Sequence, residues 1–84
     1  MTLDELGYKL SQIHMGSMIT CQLNDKDSRE IISKDEDGDS FVKFYLNKEL
    51  TKIAIVEHGY GIFTPANKDA VIAMANLIGE PIEI

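Results

Sequence analysis

Four carboxylates surround one glycine at Asp35-Glu36-Asp37-Gly38-Asp39, the densest group of ligand-capable side chains in the chain. Oxygen donors packed this closely suit two chemistries: holding a hard cation such as calcium, or attracting a basic partner. An EF-type loop needs glycine at its sixth position. With Gly38 there, Ser33 falls at position one, Asp35 at three, Asp37 at five and Phe44 at twelve, where a bidentate glutamate belongs. The first ligand is weak, the last is missing, and both flanks alternate like strands. The run therefore reads first as a hairpin tip that meets a partner. A calcium-responsive module using residues 35–39 is kept as the alternative, and no metal ligand is assigned.

Other reactive side chains are sparse. His14 and His58 are the two histidines and Cys21 the one cysteine. Their spacing matches no zinc motif. Cys21 lies at an inward position of an alternating segment, so it reads as a small buried hydrophobe with no base placed to activate it. Gly59-Tyr60-Gly61 lacks the third glycine and the following helix of a phosphate loop. No carboxylate pair is set in an acid–base motif. The chain is expected to be non-enzymatic and to need no cofactor.

Charge narrows the partners. The net charge is −6, and seven of the fourteen acids lie between Asp25 and Asp39. The eight basic residues are scattered singly, from Lys9 to Lys68, and form no stripe that could follow a phosphate backbone or an anionic membrane. Direct nucleic-acid and membrane binding are thus disfavoured, and a protein partner with a basic surface is favoured. No apolar run approaches the ~20 residues of a membrane span. The acidic N-terminus lacks the basic start of a secretory signal. A single cysteine suits a reducing compartment. A cytoplasmic location is expected.

These side chains must be positioned by a small fold. Eighty-four residues make one domain. Thr2-Leu3-Asp4-Glu5 is a capping box, and Leu3, Leu6, Leu10 and Ile13 give the apolar stripe of a helix that stops at Gly16. Gly7 inside it costs about 1 kcal/mol relative to alanine and suggests close packing. Residues 17–23 alternate as a strand, with Ile19, Cys21 and Leu23 inward and Met18, Thr20 and Gln22 outward. Residues 24–28 form a turn. In the next hairpin, Asp37-Gly38 as a two-residue type I′ turn pairs Asp35 with Ser40, Ser33 with Val42, Ile31 with Phe44 and Arg29 with Leu46. Ile31, Val42, Phe44 and Leu46 then share a core face. Ile32, Lys34, Phe41, Lys43 and Tyr45 share a mixed one.

A strand follows over 51–57, then a turn at His58-Gly59 and a fifth strand over 60–63. Thr64-Pro65 or Asn67 opens a second helix, with Ala70, Val71, Met74, Leu77 and Ile78 inward and Gly79 and Pro81 as its stop. Ile82-Glu83-Ile84 is left as an edge strand or a tail. The expected fold is α+β, an antiparallel meander of four to five strands with an N-terminal and a C-terminal helix on one face.

The functional expectation is a small acidic interaction module. Asp35, Glu36, Asp37 and Asp39 would steer a basic partner, and Phe41, Tyr45 and Tyr60 would anchor it. In general character, though in no particular residue, the chain resembles small accessory proteins such as phage-encoded inhibitors of host defence and toxin-neutralising immunity proteins. That resemblance implies inhibition of a basic or nucleic-acid-binding target, mimicry of nucleic-acid charge being one version. Homodimerisation through the mixed sheet face, or service as a structural subunit of a homo-oligomer, is a third reading.

Overall fold

The computed structural model describes residues 1–14, 18–57 and 68–84. Helix α1 (Leu3–His14) is followed by four strands, β1 (Thr20–Asn24), β2 (Asp27–Lys34), β3 (Ser40–Leu46) and β4 (Ile53–Glu57), and by helix α2 (Lys68–Asn76). The strands pair in chain order as one antiparallel meander. The expected α+β class and four-strand meander are therefore seen. The expected fifth strand, the Gly16 stop and the opening of the second helix fall outside the described residues.

The Thr2 hydroxyl accepts from the Glu5 amide at 3.1 Å and donates to the Glu5 carboxylate at 3.3 Å. The glutamate thus closes the cap on the hydroxyl, where the sequence pattern sends it to the backbone amide. Leu6 and Leu10 are fully buried, and Leu3 and Ile13 flank them. Ile31, Val42, Phe44, Leu46 and Ile53 from the strands meet Met74 and Leu77 in the same core. Both helices therefore cover one sheet face, as expected.

Gly7 faces the chain leading into β1. A Cβ there would stand 2.6 Å from the Ile19 carbonyl oxygen, so glycine permits the approach. Ser11 locks it: its hydroxyl donates to the Gly7 carbonyl and accepts from the Ile19 amide, each at 2.8 Å.

The β2–β3 hairpin keeps the expected pairing of Ile31 with Phe44 but not the expected turn. The Gly38 amide donates to the Asp35 carbonyl at 3.1 Å, and the Asp35 amide to the Asp39 carbonyl at 3.0 Å. The loop is thus Glu36-Asp37-Gly38, with Gly38 alone in it at positive φ (83°). This is the three-residue geometry in which the glycine itself forms a bulge beside the loop, and a separate irregularity lies further down the hairpin. The register shifts between Ile32 and Lys34, so that Lys34, not Asp35, faces Ser40.

The shift sets Phe41 and Val42 together opposite Ser33. The buried Ser33 hydroxyl accepts from the Val42 amide at 2.9 Å and donates to the Val42 carbonyl. A second shift, in β4, lets Ile53 and Val56 both face the core while Ala54 and Ile55 are exposed.

In α2 and the turn after it, Ala70, Met74 and Leu77 are buried as expected, whereas Val71 and Ile78 are about half exposed. Only the narrow i, i+4, i+7 row reaches the core. Gly79 (φ 87°) ends the turn after α2, and its amide donates to the Ile53 carbonyl at 2.7 Å. Residues 81–83 then run between Met1-Thr2 and Thr51-Lys52. Thr2 bridges Glu83 in parallel, and Lys52 bridges Pro81 antiparallel.

Candidate functional site

The acidic tip is built by Asp35. Its Oδ1 accepts from the Asp37 amide at 3.0 Å and from the Asp39 amide at 2.9 Å. An aspartate that satisfies amides two and four residues on fixes the turn locally. Asp35 is therefore a turn-former, and Asp37 and Asp39 are the exposed charges the turn presents. Ligand-capable oxygens of Asp35, Asp37 and Asp39 lie within 4.8 Å of one another. The spacing of an EF-type loop is not realised around them, because Ser33 and Phe44 both point into the core.

Glu36 turns away from that trio. Its Oε1 accepts from the Met18 amide at 3.0 Å, tying the tip to the chain that leads into β1. Beside this bond lies an open groove of about 520 Å³ between α1 and the tip. Asp4, Tyr8 and Gln12 line it from α1, Met18 and Thr20 from the β1 side, and Glu36 from the tip. Asp4 and Tyr8 are one helical turn apart and so share a face. Tyr8 and Met18 are each 67% exposed, large side chains that no described neighbour covers. The charged side chains among these lining residues are both carboxylates.

The sheet face opposite the helices carries a polar network. Glu30 is 7% exposed; its Oε2 accepts from Asn24 Nδ2 at 2.6 Å and its Oε1 lies 3.0 Å from Lys43 Nζ. These two partners, Asn24 foremost, hold its carboxyl below the ordinary range against the opposing effect of burial. The Tyr45 hydroxyl donates to Glu57 Oε2 at 2.7 Å, and this bond raises its pKa. Among the described residues, Ile55 is the large apolar side chain most exposed on this face.

The expected anchors are thus separated. Phe41 is 5% exposed and belongs to the core cluster. The bulge opposite Ser33 rotates it off the mixed face, so it is not a surface anchor. Tyr45 does lie on the mixed face, half-buried and bonded to Glu57. Tyr60 and His58 lie outside the described residues. Tyr8 and Met18 occupy the place beside the acidic tip that the sequence reading gave to other side chains. The available signal was Tyr8 on the polar side of α1, one turn from Asp4. Cys21 is partly buried, and burial, helped by Asp4, pushes its thiol up to about 12. That keeps it protonated and poorly nucleophilic at neutral pH.

No family model matches this chain, and neither does any curated protein or solved structure. Among the described residues, no helix is long and apolar enough to cross a membrane.

Proposed function

We propose that this chain is a non-enzymatic interaction module that binds, and thereby inhibits, a protein with a basic surface. One observation carries the reading: the hydrogen-bonded acidic tip and the exposed Tyr8 and Met18 stand at the same end of the fold, joined by the Glu36–Met18 bond. Carboxylates there raise the encounter rate with a basic surface, and the apolar side chains slow its departure once docked. The net charge of −6 extends the attraction beyond contact distance. An intracellular setting, and a target that itself binds nucleic acid, are finer forms of this reading. They follow from the charge pattern and the general resemblance alone.

The test is kinetic. A partner recovered by affinity capture from the native host is titrated against the wild type and against Asp37→Lys/Asp39→Lys. Asp35 is left intact because it builds the turn. The expected outcome is an association rate about tenfold lower for the variant at low ionic strength, with the gap closing above about 0.5 M salt as screening shortens the reach of the charges. An unchanged rate at low salt overturns the steering role.

The 4.8 Å grouping of Asp35, Asp37 and Asp39 favours a second reading, a divalent cation held at the tip. Titration with calcium, followed by heat and by the melting temperature, decides between them: tight one-to-one uptake with a large gain in thermal stability selects the cation, and millimolar or no binding removes it.

A further inference from the structure

We infer that the groove between α1 and the acidic tip receives an arginine or lysine side chain carried by an extended basic segment of the partner. The inference deepens the basic-partner reading above and rests on it. A long cationic side chain has an apolar stem and a charged head, and the groove offers a surface for each. Met18 and the Tyr8 ring supply apolar area for the stem, both of them 67% exposed. The face of an exposed tyrosine also attracts a cation directly.

Asp4 on one wall and Glu36 on the other supply carboxylates for the head. Glu36 is held at this wall by the bond its Oε1 accepts from the Met18 amide. A volume of about 520 Å³ exceeds what one side chain fills and leaves room for the adjoining backbone. The Asp37 and Asp39 carboxylates lie next along the loop from Glu36, so neighbouring cations of the same segment would meet the tip. An anionic or neutral apolar occupant fits worse, because it would desolvate Asp4 and Glu36 without pairing them.

The probe is an acetylated tetra-arginine amide, followed by amide chemical shifts of the whole chain, with a tetra-glutamine amide as control. The expected result is saturable shifts at Tyr8, Gln12, Met18, Thr20 and Glu36 that the glutamine peptide does not produce. Tyr8→Ala should weaken binding about threefold or more, and Asp4→Asn with Glu36→Gln should weaken it further. Glutamine at position 36 retains an oxygen for the Met18 amide, and Tyr8 is exposed, so both variants are expected to fold. Glu49→Gln, in the exposed β3–β4 loop, should leave binding unchanged.

Shifts confined to Asp35–Asp39 would overturn the groove as the receptor while leaving a basic partner for the tip. No shift beyond the glutamine control would overturn both. Full-strength binding by Tyr8→Ala would show that charge alone is read and would also overturn the groove.

Discussion

Single residues explain most of what the alternating pattern left open. Gly7 is visible in the sequence as a cost, about 1 kcal/mol against alanine in a helix; its reason is a backbone atom of a segment twelve residues away. A methyl at position 7 would meet the Ile19 carbonyl oxygen at 2.6 Å. That strand entry cannot retreat freely, because Ser11 holds the Ile19 amide. Overpacking of this kind costs roughly 1–3 kcal/mol, which outweighs the propensity gain. Gly7→Ala should therefore destabilise the fold by up to about 2 kcal/mol, read as a lower urea midpoint with an unchanged slope. A raised midpoint would mean that the contact yields and that propensity decides. Ser33 is the complementary case. The sequence reading pairs this serine regularly with Val42, whereas its hydroxyl bonds both backbone groups of Val42 in the bulge that buries Phe41.

Elements were legible where periodicity alone determines them, and less so where one residue is inserted. The α1 stripe, the inward row of β1 and the pairing of Ile31 with Phe44 all follow from spacing. The loop did not, because a two-residue and a three-residue turn preserve the same core pairing once a bulge absorbs the difference. Asp35 tips the choice through its two amide bonds, and Gly38 alone takes the left-handed conformation. The groove beside the tip was beyond reach for a related reason. It needs Tyr8, Met18 and Glu36 to meet, and no local pattern links three elements. The turn gives an ordered prediction. Nothing lies within 4 Å of a Cβ at Gly38, so a substitution there meets only backbone strain. Gly38→Ala should lose about 1 kcal/mol, and Gly38→Asn clearly less, since asparagine tolerates that conformation. Thermal unfolding of the pair checks this, and equal losses would point to a cause other than φ.

At the scale of the whole molecule, the two ends of the sequence are stitched to the middle. The Met1 nitrogen donates to the Pro81 carbonyl at 2.7 Å, the Glu83 amide to Met1 at 2.8 Å and the Ile82 amide to Thr51 at 2.8 Å. Ile82, 8% exposed, drops its side chain into the common core. The two contacts to Met1 join residues some eighty positions apart. Closing such a span is entropically expensive and offers little reward until the sheet and α1 exist. The segment should therefore dock after the main folding barrier. An 84-residue domain has about 4–13 kcal/mol of stability to spare. Truncating a buried isoleucine near the rim removes about 2–3 kcal/mol of it. Ile82→Ala should then lower the melting temperature by about 10–20 °C. In stopped-flow measurements the loss should fall on unfolding, which accelerates, while refolding stays near the wild-type rate. A variant that refolds markedly more slowly would place the C-terminal segment in the folding nucleus, with the sheet assembling around a closed chain.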